Sequence, residues 1–470
     1  MHHSERVIII GGGFSGVALA AELVRRGAAS SITLVESGDR VGRGLAYGTA
    51  SASHLLNTRA DQMSLYGDDP EHFLRWRRRG GHATHGAEFV RRSDYGEYLE
   101  RALIAACTEA PHARLTVEMG ARATDVERTA GGFAVSLADG RELRGDAVVL
   151  ATGHPAPADP FGGALPASAT RYLREPSRHE DLAKIAPGAA VLLIGTGLTA
   201  VDVVLALEER GHRGPVHAVS RRGLLPRAHR ARRETLPTDL HRALAAGVAV
   251  NGLRGIVAAL RSVAAAADEH GVGWQAAFDA LRPLAPRIWA ELCAADRRRF
   301  VRLLRPFWDV HRHRLPPAQA GRIAALRARG RVVIRAGRVR GGVDRGDSIV
   351  VDVQPRGSTE TVAERYDWVV NCTGASFAKS SSRPLERRLL EQGLLLADPL
   401  GLGYVTDDVG GVLGASGPVR GLYVLGPACR AAFWEHTAVP ELRAQAAKLA
   451  ADLAGRCATA EVPVRLVAAR

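Results

Sequence analysis

The chain has 470 residues, 63 basic and 49 acidic, for a formal charge of +14. At about 150 residues per domain this allows roughly three domains, or two with a large insertion, and excludes a small disulfide-stapled module. Hydrophobic residues at 46%, charged residues at 24% and aromatics at only 5% describe a folded, soluble protein with aliphatic cores.

In chain order, Val7 to Ile10 is a β-branched run that reads as a strand buried on both faces. Gly11-Gly12-Gly13-Phe14-Ser15-Gly16 follows at once, and Val17 to Arg26 then has helical composition up to Gly27. Gly11, Gly13 and Gly16, with Ser15 among them, suit a tight turn, a close approach of backbone to a pyrophosphate, and close packing of helix on strand. A second strand, Ile32 to Val35, delivers Glu36, whose carboxylate can accept ribose hydroxyls. Gly132 to Leu143 reads as a β-hairpin with Asp139-Gly140 at its turn. Asp146 to Gly153 is an apolar strand ending in Thr-Gly, and Pro155 to Pro187 is a proline-dotted linker.

The same unit then recurs. Ala190 to Ile194 is a strand, Gly195-Thr196-Gly197-Leu198-Thr199-Ala200 the turn, and Val201 to Glu209 the helix. After the next strand, Val216 to Val219, no acid stands at the ribose position. Ser220-Arg221-Arg222 occupies it, and an arginine fork there would pair with a 2′-phosphate, so NADPH is favoured over NADH. The interrupting Gly195, Thr196, Gly197, Thr199 and Asp202 make Gly188 to Leu207 a buried strand and helix, not a membrane span. Arg230 to Gln319 is rich in Ala, Leu and Arg at helical spacing and reads as a helical insertion. Asp367 to Gly374 is a second strand ending in Thr-Gly, and Leu422 to Leu425 leads through Gly426 to a helix from about Val439.

The expected fold class is therefore α/β, with two dinucleotide-binding (Rossmann-like) domains of the two-dinucleotide flavoprotein type and a helical insertion. The first part of the FAD-binding domain spans 1–188. The NAD(P)-binding domain spans 189–365, with its insertion at about 230–320. The second part of the FAD-binding domain spans 366–470.

The segments Gly42 to Thr49, His54-Leu55-Leu56-Asn57, Tyr95 to Leu99, Gly195 to Asp202, Ser220 to Pro226, Trp308 to Arg314 and Trp434 to Arg443 carry a resemblance over nearly the whole chain. The chain resembles the bacterial FAD/NAD(P)-binding proteins related to flavin-dependent monooxygenases, a group that includes a flavin-dependent urate hydroxylase. The resemblance implies FAD, NAD(P)H, dioxygen and a small-molecule substrate. Hydroxylation of urate is the specific expectation. The alternatives are N-hydroxylation of a small amine or amino acid, or an NAD(P)H oxidase or reductase without oxygen insertion. It also implies that Gly44 lies in a loop beside the flavin, with Asn57, an amide that both donates and accepts, as the catalytic candidate at its edge. Gly153 and Gly374 would let backbone lie close to a cofactor. Thr437 and Ala438 would start a helix aimed at the flavin pyrimidine, where charge grows on reduction. Trp308, His311 and Arg312, within one helical turn, are the substrate-binding candidates for a flat anion. One departure is visible: Phe161-Gly162-Gly163 begins a motif frequent in flavin monooxygenases, but Ala167 stands where its histidine would be and Arg171 at its aromatic position.

The charge alone would suggest a polyanionic partner. Arginine replaces lysine almost everywhere, however, the only lysines being Lys184, Lys379 and Lys448, and few aromatics are present to stack bases. Neither nucleic acid nor membrane is expected as a partner. Cys107, Cys293, Cys372, Cys429 and Cys457 form no close pair, so no metal site or redox dithiol is expected. Met1 to Arg6 runs directly into a strand without a signal-like apolar run, which points to the cytoplasm. The sequence sets no oligomeric state.

Overall fold

The computed structural model describes residues 5–176, 181–250, 252–377 and 383–459. Three sheets organise them. The first has six strands in the order Gly411–Gly414, Gly417–Val424, Ala147–Leu150, Arg6–Ile10, Ser31–Val35 and Leu115–Glu118. All its pairings are parallel except the hairpin at the Gly411–Gly414 edge. Alternation along Arg6–Ile10 explains why both faces are buried. Val7 and Ile9 face a helical layer that contains Phe14–Arg26, Arg92–Glu109 and Val439–Thr459. Ile8 and Ile10 face the other way, onto the small antiparallel sheet Ala123–Thr129, Gly132–Leu137 and Glu142–Gly145, the expected β insertion.

The second sheet runs Val362–Tyr366, Ile349–Pro355, Val332–Asp344, Val216–Ser220, Val191–Ile194, Trp368–Asn371 and Tyr172–Leu173. Its first three strands form an antiparallel meander and the rest are parallel. Leu198–Glu209 and Pro317–Ala328 pack on one face through Val204, Leu205, Ile323 and Leu326.

The sheets divide the chain differently from boundaries at 188 and 366. Trp368–Asn371 pairs with Val191–Ile194, and Tyr172–Leu173 pairs with Trp368–Asn371, so both belong to the second fold. The reason is local repetition: each Thr-Gly strand lies beside the glycine turn of its own half. Phe161, the start of the fragmentary motif, is buried in the second fold's core against Tyr172. The outgoing and returning segments touch at a Pro157–Ala375 bridge, and Asn371 Nδ2 donates to the Ala158 carbonyl at 3.0 Å.

The helical insertion begins at Thr238–Val250 and ends at Arg305–Arg312. Its core collects Leu244, Trp289 and Trp308 with Leu402 and Trp434 from the closing segment, so it is packed onto the first fold as well as carried by the second. Among the described residues no helix is long and apolar enough to cross a membrane.

Candidate functional site

Both dinucleotide turns have one geometry. Gly11 has φ +112° and Gly195 φ +119°, and a Cβ on either would overlap a carbonyl oxygen, that of Ala151 or of Cys372. Gly11 N–H donates to Val35 O at 2.8 Å and Gly195 N–H to Val219 O at 2.7 Å. A Cβ on Gly16 would overlap Gly11 O, so this glycine sets the helix-to-strand approach. The helices start earlier than the sequence suggests, at Phe14 and Leu198, with Gly13 and Gly197 as N-caps that bring no capping side chain. Their first-turn N–H groups are therefore left to meet an anion.

Gly13 faces Gly44 across a narrow slot: a Cβ on Gly13 would lie 3.8 Å from Gly44 Cα, and a Cβ on Gly44 3.4 Å from Gly13 Cα. Gly44 has φ +47°, and Gly42 N–H donates to Gly12 O at 2.7 Å, which fixes the loop against the turn. Two bare backbone walls of this kind fit a pyrophosphate. Arg43 does not enter the slot, since it donates to Ser93 O at 2.8 Å on the neighbouring helix. Glu36 accepts from Gly12 N–H at 2.8 Å and Gly38 N–H at 2.7 Å, which aims its carboxylate at the rim of the turn. Ser15 is buried beneath it, so close to Gly426 that a Cβ there would sit 2.7 Å from its Oγ. Gly153 and Gly374 have φ of +71° and +86°, with nothing within 4 Å of an added Cβ.

In the second fold, Thr199 lies half-buried in the first turn of its helix. Ser220 Oγ bonds Thr196 Oγ1 at 2.8 Å and accepts from Gly223 N–H at 3.0 Å, so the hydroxyl shapes the turn. The two arginines beside it differ. Arg222 donates to Leu303 O at 3.1 Å and lies 4.8 Å over the Phe307 ring, both in the insertion. Arg221 is exposed, without a hydrogen bond or ion pair to any described residue.

A cleft opens where the two folds meet the insertion, lined by Asn57, Arg59, His229, the arginines from Arg230 to Arg233, and Arg282, Arg312 and Arg314. The Asn57 amide makes no side-chain hydrogen bond to a described residue, while its carbonyl accepts from His229 Nε2 at 3.0 Å. Burial, and then the nearby Arg314, push the His229 imidazole down to about 4, so it is neutral at pH 7. His54 is not at this cleft. Its Nε2 donates to Asp202 O at 3.0 Å and its Nδ1 pairs with Thr49 Oγ1 at 2.7 Å, which fastens the Gly44 loop to the second fold's helix.

The substrate candidates separate. Trp308 is buried with its Nε1 donating to Glu435 Oε1 at 2.8 Å, and offers no open aromatic wall. His311 turns inward, stacked on Phe278 at 5.2 Å, with Nδ1 donating to Phe307 O at 2.7 Å. Only Arg312 reaches the cleft, and its Nε donates to Glu435 Oε2 at 2.9 Å. Sequence reasoning missed Glu435, which is 2% exposed and joins Trp308 and Arg312 to the segment that leads into Thr437 and Ala438. Its signal was position alone: it sits four residues before the helix start at Val439. Trp434, beside it, is the one non-glycine at positive φ (60°) among the described residues, held by Trp289 at 4.9 Å and Phe300 at 4.8 Å.

Residues 8–155, from the first strand to just past Gly153, match a family model described as FAD-NAD(P)-binding. The whole chain is similar in structure to an ornithine hydroxylase from Pseudomonas aeruginosa, with TM-score 0.64, 18% identity and coverage of 96% of this chain and 99% of that one. An L-lysine 6-monooxygenase from Pseudomonas syringae gives TM-score 0.63, 19% identity and coverage of 97% and 100%. The ornithine N-hydroxylase of Kutzneria sp. 744, solved with reduced FAD, NADP+ and L-ornithine, gives 0.65, 14% identity and coverage of 96% and 99%. No curated protein matches the chain in sequence. At these identities the likeness establishes the two-dinucleotide flavoprotein fold.

Proposed function

We propose that this FAD-NAD(P)-binding protein is an NADPH-consuming, FAD-dependent monooxygenase that hydroxylates the nitrogen of a small amine or amino acid. The observation that carries the reading is the pair of matched dinucleotide turns, with the Asn57 cleft opening where the two folds meet the insertion. The structural neighbours favour N-hydroxylation over the urate chemistry expected from the sequence, and the burial of Trp308 removes the stacking face that urate was expected to use.

The Gly13–Gly44 slot and the first-turn amides of Phe14–Arg26 would hold the FAD pyrophosphate, and Glu36 would meet its ribose. Arg221 would meet the 2′-phosphate of NADPH. When bound, the flavin supplies hydride acceptance from NADPH and activation of dioxygen. The chain's own part is to orient and shield. The N-terminus of Val439–Thr459, with Thr437 and Ala438 at its start, favours negative charge on a ring placed there. Asn57 presents a donor and an acceptor at the mouth of the cleft, and neutral His229 fixes its backbone. The bond from Arg312 to Glu435 ties the insertion to the closing segment beside the cleft.

The test measures NADPH oxidation by the FAD-loaded protein with L-ornithine, L-lysine, cadaverine and urate, with hydroxylated product and hydrogen peroxide followed in parallel. Hydroxylamine product in proportion to NADPH consumed supports the reading. Peroxide alone with every compound would replace it with an oxidase.

A further inference from the structure

The cleft is markedly one-signed. Seven arginines line it against two acids, Glu234 and Asp279. Three acids beside it are already engaged, Asp279 with Arg314, Glu435 with Arg312, and Glu441 with Arg282, while Asp61 stands near Arg233 and Arg59 at its edge. Two of the guanidinium groups are more than nine-tenths buried and incompletely bonded. Arg312 is 8% exposed, its Nη2 without a hydrogen bond though 3.8 Å from Glu441 Oε1, and Arg314 is 3% exposed with its Nε lacking a hydrogen-bond partner. A buried N–H donor left without an acceptor costs free energy, and a charged one costs more, unless a ligand completes it. Arg232 and Arg233 stand at the rim without hydrogen bonds or ion pairs to described residues.

From these facts we infer that the substrate carries net negative charge, and that its acidic group is met by Arg312 and Arg314 beneath the arginine rim. The inference rests on the flavin-dependent reading above and narrows it. A dicationic diamine such as cadaverine would enter a field of its own sign, with only Glu234 and the edge residue Asp61 to receive it. A molecule bearing a carboxylate or enolate would complete the donors that the fold leaves open. The neutral His229, held uncharged first by burial and then by the nearby Arg314, sits in the same field.

The experiment titrates the FAD-loaded protein with urate, L-glutamate and cadaverine and follows the visible flavin spectrum, which responds to binding whether or not turnover occurs. The anions should give saturable changes that weaken with added salt, and cadaverine should give none over the same range. Loss of one charge-assisted contact in Arg312→Gln should weaken anion binding by about 10-fold to 100-fold. Arg233→Glu, at the exposed rim, covers the case in which the buried variant fails to fold, and should weaken it in the same direction. Flavin content is measured in each variant so that lost cofactor is not counted as lost anion. Cadaverine binding as tightly as the anions, no spectral response to any anion, or unchanged anion affinity in both variants would overturn the inference. The two readings fail separately. Hydroxylated cadaverine formed as efficiently as hydroxylated L-glutamate would uphold the reaction and remove the charge selectivity. Anion binding without any hydroxylated product would do the reverse.

Discussion

Gly13→Asp separates the cofactor slot from the fold that carries it. At this position φ is −72°, so no left-handed conformation is at stake, and an added Cβ meets only Gly44 Cα at 3.8 Å, an ordinary contact. Asp is also a favourable N-cap whose charge suits the helix dipole, so the ligand-free protein should be as stable as the parent or slightly more so. The cost falls on the ligand. A carboxylate about 4 Å from a phosphate, at an effective dielectric of about 20, adds roughly 4 kcal/mol of repulsion, or about a thousandfold in affinity. The side chain would also fill the space between Gly13 and Gly44. The variant should purify colourless, unfold in urea at or above the parent's ligand-free midpoint, and fail to take up FAD in a flavin-fluorescence titration. Gly16→Ala is the contrasting control: its methyl overlaps Gly11 O, and it should lower stability before any cofactor is considered. Stoichiometric FAD in Gly13→Asp would refute the placement of the pyrophosphate.

Arg221→Ala should raise the KM for NADPH by about 10-fold to 100-fold and spare NADH, since charge-assisted hydrogen bonds contribute about 1.5–3 kcal/mol. Arg222→Ala should change that preference less, because its guanidinium is spent on Leu303 and Phe307. Comparing kcat/KM for the two nucleotides checks both. Arg312→Ala leaves the buried Glu435 without its cation and should cost about 3–5 kcal/mol in urea unfolding, with Glu435→Gln milder because the amide keeps an acceptor for Trp308. His229 and His436 are both pushed down to about 4, chiefly by burial, below the ordinary value of 6.5. The unfolded chain therefore binds more protons between those values, and stability should be full above about pH 6.5 and fall as pH drops towards 4. For His229 alone the loss by pH 5 is up to about 2 kcal/mol, and the pH dependence of the unfolding midpoint should flatten in His229→Gln.

What could be read in the chain follows the range of the interactions involved. Gly11, Gly13, Gly16 and Gly195 were legible because their roles are set by backbone geometry within a few residues and by a strand that repeats beside each turn. Glu36 is legible as the residue at the end of the second strand, but its bonds to the Gly12 and Gly38 amides depend on how the turn folds back over it. Trp308, His311 and Arg312 lie within one turn in sequence, which suggests a single site. Their fates diverge because the buried carboxylate that claims Trp308 and Arg312 is more than a hundred residues away, and no local pattern encodes it. The second Thr-Gly strand is legible as a repeat, but its place late in the chain suggests the closing segment. Register with Val191–Ile194, a long-range property, decides its sheet.

The paired crossing at Pro157 and Ala375 bears on how the protein is made. The second fold leaves and re-enters at one place, and its seven strands are contiguous between those points, so it can complete its sheet while the ribosome is still working on the rest. The first sheet cannot. Its strand Gly417–Val424 pairs with Ala147–Leu150 across the entire second fold, and the helix Val439–Thr459 that covers it comes later still. Until then Val148, Leu150 and their neighbours present an unpaired apolar edge, the kind of surface that aggregates. A truncation before Gly417 should therefore leave a folded second unit joined to an insoluble first one.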